Sequence, residues 1–327
     1  MSEKSEKRVK HNISGWVVLD KPVGLSSTQA MAKVRGSLSA AKSGHGGTLD
    51  PFATGVLPIA LGEATKLMQY VLDGDKTYRF TVRWGEARDT DDLTGKVTAT
   101  SDTRPNENQI REAIKKYFGE IQQLPPNFSA LHIDGERAYD LARRGEEVVL
   151  QPRAIHIYRY DYLGSPSADE AVFEVDCGKG TYIRSLARDL GRDLGCLGHV
   201  TVLIRLKSGP FSLENAVSLE KCMEKSEEFR HNKPTPDSLR ELVLPLTAAL
   251  DDIPGIAVNE QEARKLRQGQ TIPLHPMRVS DEARGAALVA ARDALGLVAI
   301  TQIKWDALQP LRVFNVNNEG VPDVAAR

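Results

Sequence analysis

The stretch Gly44-His45-Gly46-Gly47-Thr48-Leu49-Asp50-Pro51-Phe52-Ala53-Thr54-Gly55 packs four glycines, one proline, one histidine and one aspartate into twelve residues. Gly44, Gly46 and Gly47 permit tight or positive-φ geometry and close backbone approach. Pro51 fixes its own φ and biases Asp50 toward an extended conformation. An apolar run, Val56-Leu57-Pro58-Ile59-Ala60, follows and reads as buried scaffold. A charged Asp50 is thus set in a stiff loop between a glycine-rich turn and a buried segment, the setting that positions catalytic groups. Local reasoning leaves a second reading open, in which Asp50 caps a turn and the glycines only bend the chain.

A carboxylate in such a loop can act as nucleophile, base or metal ligand. The nearest acidic neighbour along the chain is Glu63, so the segment carries no paired-carboxylate site. No Gly-Lys-Ser/Thr follows, which rules out a phosphate-binding P-loop here.

The 327 residues suffice for two domains. Charged residues make up 27% and hydrophobic ones 41%, ordinary soluble usage. No apolar stretch is long enough to span a bilayer, and the polar start MSEKSEKRVKHN reads as a short tail (residues 1–12) without a secretory signal. Three scattered cysteines, Cys177, Cys196 and Cys222, suggest neither a disulfide framework nor a zinc site, and a reducing, cytoplasmic compartment fits. The net charge of -1 argues weakly against nucleic-acid binding. Local distribution matters more: Lys179, Arg184, Arg188, Arg192, Arg205 and Lys207 are opposed in their stretch only by Asp189 and Asp193.

Along the chain, Trp16–Leu19 reads as a buried strand, and Ser26 with Gln29 forms a capping box for a helix to about Leu38. Residues 63–72 suit a short helix. Tyr78, Phe80, Val82 and Trp84 alternate with Arg79, Thr81 and Arg83, a half-buried strand. The acidic run Asp89–Gly95 does not have calcium-loop spacing and is expected to be a solvated turn. Asn106 with Gln109 caps a helix expected to run to Phe118, with Gly119 as its stop. Tyr139, Leu141 and Ala142 suggest a short helix. Residues 153–160 and 171–177 read as strands joined by a polar connection. Thr181 is the expected cap of the helix carrying Arg184. A basic group gains nothing from the helix dipole there, which favours a carboxylate or phosphate partner. Residues 200–206 form a further apolar strand. Residues 220–238 are highly polar and read as an exposed helix or a mobile insert. The tail from Ile256 carries a helix at 260–267 and short strands, a small barrel-like unit.

The block from Gly44 to Lys66, GHGGTLDPFATGVLPIALGEATK, resembles the catalytic motif of the tRNA pseudouridine-55 synthases, the TruB family. So do GWVVLDKPVGLSS at 15–27, DKTYRF at 75–80, FSALHIDGERAYDLAR at 128–143 and CGKGTYIRSLARDLG at 177–191. The resemblance implies an α+β fold: a mixed, largely antiparallel curved sheet with flanking helices and a thumb-like insertion at residues 13–248, then a small β-rich PUA-like RNA-binding domain at 249–327. It implies isomerisation of uridine 55 in the T-loop of transfer RNA by a monomer, with no metal, organic cofactor or membrane. Within it, Asp50 is the catalytic carboxylate, by attack on the ribose or by abstraction of a ribose proton. Tyr78 packs on the target base and helps remove the C5 proton, and Arg184 pairs with Asp50. His45 enters the T-loop, Lys21 supports substrate and structure, and Leu206 walls the pocket. Arg188, Arg192 and Lys207 join Arg184 in a basic RNA surface. Gly46-Gly47-Thr48 departs from the spelling of many relatives but keeps small residues. Two other readings are a non-catalytic tRNA-folding protein of this fold, and a metal-dependent hydrolase using Asp50, Asp89, Asp91 and Asp92.

Overall fold

The computed structural model describes residues 10–129, 132–133, 136–137, 144, 150–232 and 234–315. Among them ten strands form one mixed, curved sheet. From one edge the order is Val217–Ser218, Gly15–Lys21, Thr54–Leu61, Gly198–Ser208, Lys76–Trp84, Glu170–Cys177, Arg153–Ser167 and Gly119–Gln123. Ser43–His45 pairs with Thr54–Leu61, and Phe211–Ser212 with Gly198–Ser208. Most pairs are antiparallel. The exceptions are Thr54–Leu61 beside Gly198–Ser208, and Gly15–Lys21 beside Val217–Ser218. This is the α+β class expected from the sequence.

The period-two pattern of Lys76–Trp84 sets its register. Phe80, Val82 and Trp84 are buried, while Arg79 and Arg83 face out. Phe80 lies opposite Phe173 on Glu170–Cys177, and the two rings stack at 5.4 Å. Helices Ser27–Ser37 and Ile183–Asp193 contribute to the core on this face through Ala30, Val34, Leu186 and Leu190. The capping boxes of Ser26 with Gln29 and of Asn106 with Gln109 both form.

The opposite face, with Trp16, Val18, Val56 and Phe211, shares a core with Leu297, Ile300 and Phe314 of the C-terminal unit. That unit is a five-stranded curled sheet in the order Gly255–Ala257, Val289–Asp293, Gly296–Lys304, Ala307–Val313 and Ile272–Pro273, packed by helix Glu260–Arg267.

Several local expectations change. The helix after Asn106 stops at Ile114 and tightens into a 3₁₀ turn, Lys115–Tyr117, before Gly119 reverses at φ +80°. Residues 62–67 are 3₁₀, and the α-helix begins only at Met68. The polar connection after Tyr160 continues as strand to Ser167, because bulges near Ile157 and Tyr162 absorb its irregular pattern. Thr181 is not a helix cap: its Oγ1 donates to Gly178 O, and Tyr182 stands at the helix entry. The helix expected around Tyr139, Leu141 and Ala142 lies outside the described residues. Among those described, no helix is long and apolar enough to cross a membrane.

The polar stretch 220–238 is packed in its described part. Helices Leu219–Glu224 and Ser226–His231 lie against helix Ser27–Ser37, and Cys222 and Phe229, with Leu239 just past the stretch, are fully buried in the main core. Three apolar residues hidden among charges are enough to dock short amphipathic turns. Phe229→Ala is therefore expected to destabilise the protein by roughly 3–5 kcal/mol in urea unfolding. A loss below about 0.5 kcal/mol would restore the view of this stretch as a surface insert.

Candidate active site

The Asp50 loop is fastened on both sides. Gly55 lies beside Arg205 in the parallel pair of strands, with φ +99°, and a Cβ there would sit 2.3 Å from Arg205 O. Only glycine lets the two backbones meet so closely. The Arg205 side chain, buried at 1% exposure, then crosses under the loop. Its Nε donates to Val56 O at 2.7 Å and its Nη2 to Gly47 O at 3.1 Å. From the other side, Ser27 Oγ accepts from Leu49 N at 2.8 Å and donates to Leu49 O. Gly24 N donates to Pro51 O at 2.7 Å. The residues on either side of Asp50 are thus pinned before its side chain makes any contact.

Asp50 projects toward helix Ile183–Asp193. Arg184 Nη2 donates to Asp50 Oδ1 at 3.1 Å, and Arg184 Nε lies 2.9 Å from Oδ2. The same guanidinium donates to Thr90 O and Phe128 O at 3.0 Å each and lies 3.4 Å from Asp92 Oδ2. Its side chain is 5% exposed, whereas that of Asp50 is 31% exposed. The arginine is therefore buried structure, and the carboxylate opens on a cavity.

That cavity, about 290 Å³, is walled by Asp50, Tyr78, Tyr182, Leu203, Arg184 and Arg205 among others. A second, about 750 Å³, opens on the other side of Asp50 between Phe52, Asp92, Phe128 and Ser129. Asp50, Tyr78 and Arg184 are thus brought together. Leu206 does not line either cavity; Leu203 and Arg205 do. Residues 203 and 205 share a strand face, and Leu206 falls at the irregularity between Arg205 and Lys207.

Lys21 is fully buried under the loop. Its Nζ donates to Pro22 O and Leu25 O at 2.8 Å, and to Pro51 O at 3.5 Å. It supports the loop and does not reach the cavity. His45 sits half-buried on strand Ser43–His45, beside the loop but outside the cavity wall, with Nδ1 buried and unpartnered.

The expected basic surface is not assembled as a unit. Arg184 is spent as described. Arg188, 9% exposed, binds Asp91 at 3.0 Å, Asp189 at 2.8 Å and Leu124 O. Arg192 and Lys207 are exposed. The acidic run Asp89–Gly95 is a turn solvated only in part: Asp89, Leu93 and Thr94 are exposed, but Asp91 and Asp92 are buried at 9% and 4% exposure. Asp92 Oδ1 accepts from Thr90 Oγ1, Thr94 N and Thr94 Oγ1. The positions between Asp50, Asp91 and Asp92 where a cation would sit are filled by the guanidinium groups of Arg184 and Arg188. Among the described residues no group of three metal-ligating side chains converges.

Burial pushes the Asp50 carboxyl above its usual range, opposed by Arg184 and reinforced by Asp92. Burial also raises the Tyr78 hydroxyl, with Arg205 opposing, and lowers His45 below its ordinary value, with Arg205 adding to the effect. Lys21 is pushed down to about 8 by burial, with Asp50 partly restoring it. Tyr182 and Leu203 escape the residue-level reading, while Arg205 and Asp92 enter it only as part of a basic stretch and of a metal-binding alternative. Arg205 inside an apolar strand was the one available signal, because a buried arginine must find partners.

Residues 35–183 match the TruB family pseudouridylate synthase (N terminal domain), and residues 184–251 match the tRNA pseudouridylate synthase B C-terminal domain. The tRNA pseudouridine synthase B of Brucella anthropi is 47% identical over 313 residues, covering 92% of this chain and 96% of that protein. Its counterpart from Bradyrhizobium diazoefficiens is 46% identical over 310 residues, covering 95% and 88%. Among solved structures, a Cbf5-Nop10-Gar1 complex contains a chain with the same fold, at TM-score 0.68 and 24% identity, covering 98% of this chain and 94% of that one.

The raised Asp50 pKa has a sign in stability. The folded chain holds this proton more tightly than the unfolded chain, so ionising Asp50 subtracts stability, and protonation below the unfolded value removes the penalty. Asp50→Asn is expected to gain stability relative to the parent as pH rises from about 3.5 to 7. Arg184→Met strands Asp92 and is expected to cost roughly 3–5 kcal/mol. Thermal unfolding of both variants across pH checks this; a parent that gains on Asp50→Asn over that range would reverse the assignment.

Proposed function

This chain belongs to the TruB family of pseudouridylate synthases, and we propose that it converts uridine 55 in the T-loop of transfer RNA to pseudouridine, with Asp50 as the catalytic carboxylate. The observation that carries the reading is the placement of Asp50: half-open to a cavity walled by Tyr78, Tyr182 and Leu203, and gripped from behind by Arg184. The reaction breaks the N1–C1′ bond and forms a C5–C1′ bond. It moves one proton from C5 to N1 and adds nothing. A site for it must hold the detached base while the base turns, and must place a charged oxygen beside the sugar.

Asp50 answers the second need whether it attacks the ribose or takes a ribose proton, since both require the ionised carboxylate. Arg184 favours that ionised form and fixes its direction. Tyr78 and Leu203 answer the first with a flat ring and an apolar wall. The Tyr78 hydroxyl is held protonated by burial, so its help with the C5 proton depends on the Arg205 cation beside it. The target base must leave the RNA stack to enter, and in this reading His45, whose pKa burial and Arg205 lower, fills the space it vacates. Residues 13–248 serve as the catalytic domain and 249–327 as an RNA-binding domain. The chain acts as a monomer in the cytoplasm, without metal or organic cofactor.

Incubation with unmodified transfer RNA, followed by pseudouridine mapping, is expected to give a single product at position 55. Asp50→Asn is expected to lose at least about 10³-fold in turnover while retaining RNA affinity. The acidic limb of the rate profile is expected above the free-aspartate range of about 3.9. Turnover by Asp50→Asn near the parent rate would remove this carboxylate from the chemistry.

A further inference from the structure

Four cationic side chains line the cavity around Asp50: Lys76, Arg153, Arg184 and Arg205. Three are engaged by the protein's own acceptors. Arg184 serves Asp50, Asp92 and two carbonyls, and Arg205 serves Val56 O and Gly47 O. Lys76 Nζ donates to the carbonyls of Val71, Leu72 and Gly74, three acceptors for three protons.

Arg153 differs. Its Nη2 donates to Gly180 O at 2.7 Å, and its guanidinium lies over the Tyr182 ring, 4.8 Å from the centroid. Gly180 O is the one acceptor its η nitrogens meet among the described residues, and the side chain lines the cavity. Among the described residues no carboxylate pairs with it. A planar cation with spare donors at the edge of a reaction cavity is suited to a bidentate oxyanion.

Its seat is also built. Arg153 lies opposite Gln123 in the sheet. Gln123, 1% exposed, accepts from Tyr182 N at 2.8 Å and donates to Tyr182 O at 3.1 Å. One buried glutamine therefore fixes the tyrosine that walls the cavity and, through its ring, the plane of the arginine. A uridine that swings into the cavity brings its flanking phosphates to the mouth. Asp50, the charge within, repels them, and Arg184 is committed to it. A cation separate from the Asp50–Arg184 pair is needed there.

We propose that Arg153, stacked on Tyr182, binds a backbone phosphate flanking the everted uridine and so positions that nucleotide over Asp50. This rests on the RNA-isomerase reading, and the test separates the two. The probes are a T-stem-loop RNA and the same RNA with a neutral methylphosphonate at the linkage 5′ or 3′ of the target uridine. Each is assayed for binding and for turnover with the parent chain, Arg153→Met and Arg153→Lys.

Arg153→Met is expected to lose roughly tenfold or more in kcat/KM and to reduce the slope of log affinity against log salt by about 1. Arg153→Lys is expected to recover the salt slope but only part of the rate. Neutralising the contacted linkage is expected to weaken the parent while leaving Arg153→Met unchanged. Equal weakening of parent and variant at both linkages, or an unchanged salt slope in a variant that melts like the parent, would overturn the contact. The binding arm reads Arg153 even for an RNA that is not turned over, whereas failure of the parent to make pseudouridine would strike the functional reading instead.

Discussion

The site depends on a single buried guanidinium. Arg184 stands near the start of a helix, where a positive charge is disfavoured by the helix dipole, and is 5% exposed. A cation there is tolerable only when ringed by acceptors. The acceptors come from three separate segments: Asp50 from the glycine-rich loop, Thr90 O and Asp92 from the acidic run, and Phe128 O. Burying one arginine therefore forces three loops to meet. The meeting leaves Asp50 the more open of the two carboxylates, its side chain 31% exposed against 5% for Asp92. The charge that orients the reactive group is the same charge that closes the architecture around it.

Arg205 plays the matching part beneath the loop. Its strand runs parallel to Thr54–Leu61, an uncommon pairing in this sheet, and this places its backbone against Gly55 and its guanidinium against Gly47 O. Its other neighbour is Tyr78, directly opposite in the antiparallel register. One strand position thus sets both the height of the Asp50 loop and the surroundings of the tyrosine that faces it. Tyr78 lines the cavity while its alternation partners Phe80, Val82 and Trp84 lie in the core, and it stands two residues from the start of the strand.

Periodic features were readable from residues alone. The alternation of Lys76–Trp84, the two capping boxes and the stiff Asp50 loop need only local chemistry. The partners of Arg184 did not follow the same logic. Asp92 lies in a run that is polar by composition and buried by context, since the reason for its burial is 92 residues further along the chain. Residues 220–238 hide their packing in the same way: Cys222 and Phe229, and Leu239 just beyond, are spaced across three short helices and show no single amphipathic stripe. That Leu203 and Arg205, and not Leu206, line the cavity leaves no mark in an apolar strand. Gly119 was rightly a stop, but the chain reached it through a 3₁₀ turn that propensity does not distinguish from a last helical turn.

The net charge of -1 looks ill-suited to a protein that handles RNA until the charges are placed. Two of the basic residues expected on an RNA surface are consumed internally, Arg188 by Asp91 and Asp189 and Arg184 by Asp50 and Asp92; Arg159 on the main sheet is likewise paired with Asp161, Glu174 and Asp176. Such pairs cancel in the total and contribute little field outside. What RNA meets is the remainder, the cations with donors left over, and these need not be many. Phosphate contacts set register and orientation while shape and the everted base supply recognition. A few well-seated cations at the cavity mouth therefore accomplish what a broad positive surface would do less selectively, and an overall balance near neutrality limits indiscriminate binding to other nucleic acids.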